Sequence, residues 1–215
     1  PLRKELKTEQ QKIAKRSSKR KVFILLLKSR SIHPILIYLC YSFSAGAIWT
    51  YGPLKAKLDF RLSDQSVILF FMIFYLAAFL LRVLLLKMSS SIFKDRRAIW
   101  FLMGSLIAAA TGLILVGFGC NLILFGFGLL LTGVAHGLIF PLTASAIAIT
   151  LLHDVRVLGN ALLLTAFDVG SFISPLLISL MIEIIPLSHA FAVMTLFPLI
   201  GLLNIKKILP FFGIF

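Results

Sequence analysis

The sequence predicts an all-α, polytopic membrane protein with six transmembrane helices. Three observations predict it. The chain has 215 residues, of which 60% are hydrophobic and 14% charged. Its mean hydropathy is +1.02. Soluble domains are about half apolar and about a quarter charged. The apolar residues also fall in blocks close to the roughly 20 residues that a spanning helix needs. Finally, the basic residues sit between those blocks in a pattern that an even number of crossings explains.

Residues 1–31 form the first unit, a basic segment. Arg3, Lys4, Lys7, Lys12, Lys15, Arg16, Lys19, Arg20, Lys21, Lys28 and Arg30 are opposed by Glu5 and Glu9 alone. Neither an aromatic nor a glycine pattern accompanies these charges, and a membrane block follows at once, so nucleic acid is not the expected partner. A cytoplasmic segment resting on anionic lipid is. The run leads straight into spanning helices, unlike a cleavable signal. It reads as the tail of a longer loop.

Residues 32–215 form the second unit, the bundle. The first span is placed at about Pro34 to Thr50, the second at Ser66 to Leu86 and the third at Ala98 to Gly117. The fourth runs from Leu122 to Leu151, the fifth from Leu158 to Ile182 and the sixth from Ala190 to Ile208. The fourth is long enough to tilt, or to bend at Pro141. Three basic segments fall on one side of six spans: residues 1–31, the turn with Lys87, Lys94, Arg96 and Arg97, and the end with Lys206 and Lys207. The positive-inside rule makes that side, and both ends, cytoplasmic. The near-neutral stretch from Pro53 to Gln65 reads as an outer loop. Trp49, Tyr51 and Trp100 fall at expected helix ends, where aromatic belts form. Gly104, Ala108 and Gly112, and Gly133 with Gly137, recur every four residues, which lets helix backbones approach closely in lipid.

Ionisable groups at membrane depth are costly, so each needs a reason. Asp168 falls about 15 Å into the fifth span, near the midplane. It suits either a proton-coupling carboxylate or a structural hydrogen-bond acceptor. His136 is also near mid-depth, and Thr132, His136 and Thr143 share a helical face. That stripe reads as a relay or cavity wall, or as a packed and hydrogen-bonded core. Tyr38, Tyr41, Ser42, Ala45 and Trp49 repeat at helical spacing in the first span. They form an aromatic cavity wall or a helix interface. Arg82, one turn from the cytoplasmic end, reads as snorkelling to the headgroups, the preferred reading for so shallow a residue, or as holding a substrate anion. Cys40 and Cys120 give no disulfide framework, and the histidines show no metal-ligand spacing. Catalytic and phosphate-binding signatures are missing, so neither an enzyme nor a cofactor is expected.

The stretch Gly133 to Thr143, with Gly137, Phe140 and Pro141, resembles the tenth helix of the major facilitator superfamily. Gly159–Asn160 through Asp168–Val169–Gly170 to Pro175 resembles its eleventh. Arg96 and Arg97 match the closing basic pair of the family's loop signature, with Phe93 inside it. Ser89, Ser90 and Ser91 stand where its glycines and leading Asp are usual. The resemblance covers nearly the whole chain and implies the C-terminal six-helix half of a twelve-helix transporter. It implies a small-molecule substrate, rocker-switch alternating access and a partner N-terminal half. It also implies that Tyr38, Tyr41, Trp49, Thr132, His136 and Thr143 face the cavity, with Asp168 near the contact between halves. Two other readings are a non-transporting six-helix scaffold and an intramembrane enzyme pairing His136 with Asp168.

Overall fold

A computed structural model describes residues 32–87, 97–151 and 153–207. The basic segment 1–31 and Arg96 lie outside the described residues. Every regular element among those described is a helix: α1 (Ile32–Phe60), α2 (Asp64–Lys87), α3 (Arg97–Phe118), α4 (Leu122–Thr150), α5 (His153–Ile182), α6 (Leu187–Met194) and α7 (Leu196–Ile205). With α6 and α7 taken together, six are long and apolar enough to cross a membrane. The expected all-α, six-span fold is therefore what forms.

Two boundaries differ from the sequence reading. The stretch expected as an outer loop is mostly helix, because α1 continues to Phe60. Pro53 lies inside it and leaves the Trp49 carbonyl without its usual N–H partner. The extra turns are held by Lys55, which is buried. Its ammonium meets Asp59 at 2.5 Å and donates to the Ser188 hydroxyl at 2.5 Å. This pins the end of α1 to the start of α6. The helix stops at Arg61, whose φ of 50° is left-handed, a common way to end a helix. The second difference is a break in the last span at Thr195. Pro198 cannot donate to the Met194 carbonyl, and the Thr195 hydroxyl instead bonds the Ala192 carbonyl at 2.6 Å.

The packing order follows from small residues. α3 lies along α4, α1 along α5, and α2 along α4, while α7 packs behind α1. Side chains cannot fit where backbones press together. A Cβ on Gly112 would lie 2.8 Å from the Gly128 carbonyl oxygen, and one on Gly137 2.8 Å from that of Ala78. Gly104, by contrast, has open space beside it, so it does not mark a contact within the bundle.

The core has two layers. One gathers Tyr38, Tyr41, Leu102, Leu106, Ile139 and Leu142. The other gathers Ile48, Phe71, Phe74, Phe125, Leu129 and Phe191. Trp49 packs against both.

Candidate functional site

Four helices deliver aromatic side chains to one point near the middle of α4. Tyr38, Tyr41 and Trp49 come from α1, spaced three and eight residues apart and so on one side of that helix. Phe74 comes from α2 and Phe167 from α5. His136 is the meeting point. The Tyr41 hydroxyl and His136 Nδ1 are 2.9 Å apart and share a hydrogen bond whose direction follows the imidazole tautomer. Trp49 stands edge-on to the His136 ring with centroids 5.5 Å apart, and Phe74 lies 5.4 Å away on another side. Phe167 stacks on Tyr38 at 5.0 Å. Such offset and edge-on pairs hold aromatic rings in fixed orientations.

Backbone packing at this level places a cation as well. At Gly133 a Cβ would collide with the Phe74 carbonyl oxygen, so α2 presses directly on α4. Arg82 lies one turn beyond Ala78, and its Nη2 donates to the His136 carbonyl at 3.4 Å. A helical side chain leans toward its own N-terminus. Arg82 therefore points back along α2, toward mid-bundle and away from the Lys87 end. This corrects the expected snorkelling. Arg82 is exposed, and no carboxylate among the described residues lies within ion-pair distance.

The remaining sequence-predicted residues scatter. Thr132 and Thr143 are buried, and each hydroxyl bonds carbonyls of α4 itself: Gly128 and Leu129 for the first, Ile139 and Phe140 for the second. Asp168 is exposed, on the α5 residue next to Phe167. Consecutive helical residues diverge by about 100°, so the ring turns into the cluster and the carboxylate out of it. Arg82 and Asp168 both lie within electrostatic reach of Tyr38. No hydrogen bond joins Asp168 to His136 among the described residues. Arg97 opens α3 and is exposed. Trp49, which the sequence offers both as a belt residue and as part of an aromatic wall, is inside the cluster because α1 runs on past it. Trp100 is 67% exposed near the start of α3, as a belt residue would be.

An open groove of about 570 Å³ adjoins the cluster between α1 and α2. Trp49, Pro53, Val67, Phe71, Met72 and Tyr75 are among its walls, and the Lys57–Asp64 ion pair lies at its rim. The Trp49 Nε1–H is buried and has no acceptor among the described residues.

Residues 2–151 and 36–211 match the Major Facilitator Superfamily in two overlapping stretches. The chain belongs to that superfamily. Its members are transporters rather than enzymes, and the six apolar helices make this chain an integral, multi-pass membrane protein of that kind. No individual curated protein matches the chain. The burial of Lys55 and the inward direction of Arg82 are what the sequence reading missed. Lys55 carries the same charge as a solvated loop lysine, and only the extension of α1 buries it. Arg82 had a readable signal: it follows the α2 stretch facing Gly133 and Gly137, the pair that predicts close approach.

Proposed function

We propose that this chain forms one wall of a secondary active transporter that moves a small organic solute by alternating access. The observation that supports the reading most is the placement of polar groups at mid-depth. Arg82, His136 and Asp168 belong to α2, α4 and α5, beside the aromatic cluster of α1. Exposed groups on α3 at comparable depth are Ile107, Thr111 and Ile114, with no ionisable side chain. A charge facing acyl chains is expensive, so Arg82 and Asp168 face a water-filled cavity or another polypeptide.

The occupant of the opposite wall in this reading is a second six-helix bundle, the N-terminal half of the same protein. It would cover the flanks of α2 and α5, with the solute held between the bundles near the midplane. Trp49 and His136, both half-buried, supply the cavity lining, with Tyr38 and Tyr41 buried behind them. Thr132 and Thr143, whose hydroxyls are satisfied within α4, shape the wall without offering free donors. Asp168 is the coupling carboxylate: it takes up a proton when open to one side and releases it to the other. The charge pattern orients both ends of the chain to the cytoplasm.

The test is reconstitution of the full-length protein in vesicles, with uptake of labelled solutes measured with and without a pH gradient. Gradient-driven accumulation is expected, and Asp168→Asn should abolish the response to the gradient while leaving exchange of solute across the bilayer. An unaltered gradient response in that variant removes Asp168 from coupling. A well-folded protein that moves no solute in either direction overturns the transport reading.

A further inference from the structure

The geometry points to an amphipathic organic anion as the solute, with its anionic group on Arg82 and its apolar body in the groove between α1 and α2. This rests on the transporter reading for its biological meaning, but the site itself is argued from the chain.

The guanidinium is permanently charged and presents a planar fork of donors that matches an oxyanion in two places. At most one donor is engaged here, by a long bond to a carbonyl. The rest of the fork is exposed, and no carboxylate among the described residues neutralises it. A cation held at mid-depth without a counter-ion among the described residues attracts an anion more strongly than one on an open surface, because the protein and bilayer around it lower the effective dielectric.

The groove supplies the other half of the recognition. Met72 and Tyr75 line it, and Arg82 follows at heptad spacing along the same exposed stripe of α2. Seven residues separate Tyr75 from Arg82, about 10 Å along the axis. A body of that length reaches from the charged end into the apolar walls. Trp49 connects the two parts. It lines the groove, and its ring stands against His136, whose carbonyl receives Arg82. A cationic solute would have to approach Arg82 against like charge, with Asp168 as the mid-depth carboxylate to attract it among the described residues.

Three probes with one body and different heads test this: 4-phenylbutyrate, 4-phenylbutanamide and 4-phenylbutylamine. They are titrated near neutral pH onto the purified full-length protein in which Trp100 and any tryptophan outside these 215 residues are replaced by Phe, with quenching of Trp49 fluorescence as the readout. The carboxylate should bind about ten- to a hundredfold more tightly than the amide, the size of a charge-assisted hydrogen-bond pair. The amine should bind more weakly than either. Arg82→Gln should erase the preference for the carboxylate, and Arg82→Lys should keep part of it. Circular dichroism and size-exclusion profiles equal to the parent confirm that each variant is folded. Equal affinities for carboxylate and amide, or a preference that survives Arg82→Gln in a folded variant, overturn the inference. Binding is read without transport. Tight carboxylate binding with no vesicle uptake would therefore uphold the site and sink the transporter reading. Uptake of the amine alone would do the reverse.

Discussion

The first two helices invert the rule that governs water-soluble proteins. α1 has the lowest mean hydropathy of the six spans, 1.3, yet 61% of its most apolar stretch is buried. α2 has the highest, 2.6, and only 28% of its stretch is buried. In water the greasiest element would go inside. In a bilayer the acyl chains solvate it as well as a protein core does, so helices are sorted by packing and by polar contacts instead. α1 is central because it carries Tyr38, Tyr41 and Ser42 and the small residues Ala45, Gly46 and Ala47, all buried. One of its contacts requires a small residue: a Cβ on Gly46 would lie 2.6 Å from the Ser171 carbonyl oxygen. α5 sharpens the lesson. It is the least buried span, at 22%, with a middling hydropathy of 1.9. Its exposed residues include Asn160, Thr165 and Asp168. Exposure on α2 and α5 is thus not all exposure to lipid.

The comparison breaks most severely if the close approach of α2 to α4 is forced apart. Gly133→Leu should cost about 3 kcal/mol or more, since the added carbons meet backbone that cannot swing away. A large fall in detergent melting temperature and loss of a monodisperse peak are the readouts. A variant as stable as its parent would show that α2 is not seated as described. Gly104→Leu, where nothing lies within 4 Å, is the control and should be tolerated.

Next in size is Lys55→Ala. It leaves Asp59 and Ser188 without their partner at the junction of α1 and α6. A loss of about 1–3 kcal/mol is expected, tempered because the Asp59 side chain is 37% exposed. Lys57→Ala removes an ion pair between two exposed groups and should change stability by less than about 1 kcal/mol. Equal melting temperatures for the two variants would erase the distinction between the buried latch and the rim pair.

Tyr41→Phe is smaller and more local. It removes one buried hydrogen bond and leaves His136 Nδ1 unpaired, at a cost of about 1 kcal/mol. Thermal unfolding of the variant checks it, and an unchanged midpoint would mean that the bond contributes no net stability.

The contrast between these sites also explains what was legible in the sequence. Span number and most boundaries follow from block length, because lipid thickness sets the length of an apolar helix. His136, Tyr41 and Tyr38 were legible as a polar and aromatic stripe, since helical periodicity places residues on faces. Periodicity does not say how far a helix continues once charges begin. Residues 53–60 therefore read as a loop, which left Trp49 open to a belt reading beside its cavity-wall reading. Periodicity also does not tell a hydroxyl that faces a cavity from one that bonds its own helix. Thr132 and His136 share a stripe, yet Thr132 turns to the α3 contact at Gly112 while His136 meets Tyr41. The direction of Arg82 was inferable from helix geometry, but depth alone suggested the opposite.

The subtlest way to sharpen the comparison perturbs stability hardly at all. Met72 on α2 is 58% exposed and Ile107 on α3 50% exposed. Cysteine at either site should change stability by no more than about 0.5 kcal/mol. The two differ in what they face. Met72 lines the groove between α1 and α2, while Ile107 stands in a surface with no ionisable group at its depth. In a full-length protein with Cys40, Cys120 and any cysteine outside these 215 residues replaced by Ser, a membrane-impermeant maleimide should therefore modify Met72→Cys and leave Ile107→Cys unmodified. A bulky ligand in the groove should slow the first reaction. Were both sites inert in intact vesicles, α2 would be a lipid-facing helix in that region. The charge on Arg82 would then lack the aqueous path that its exposure requires.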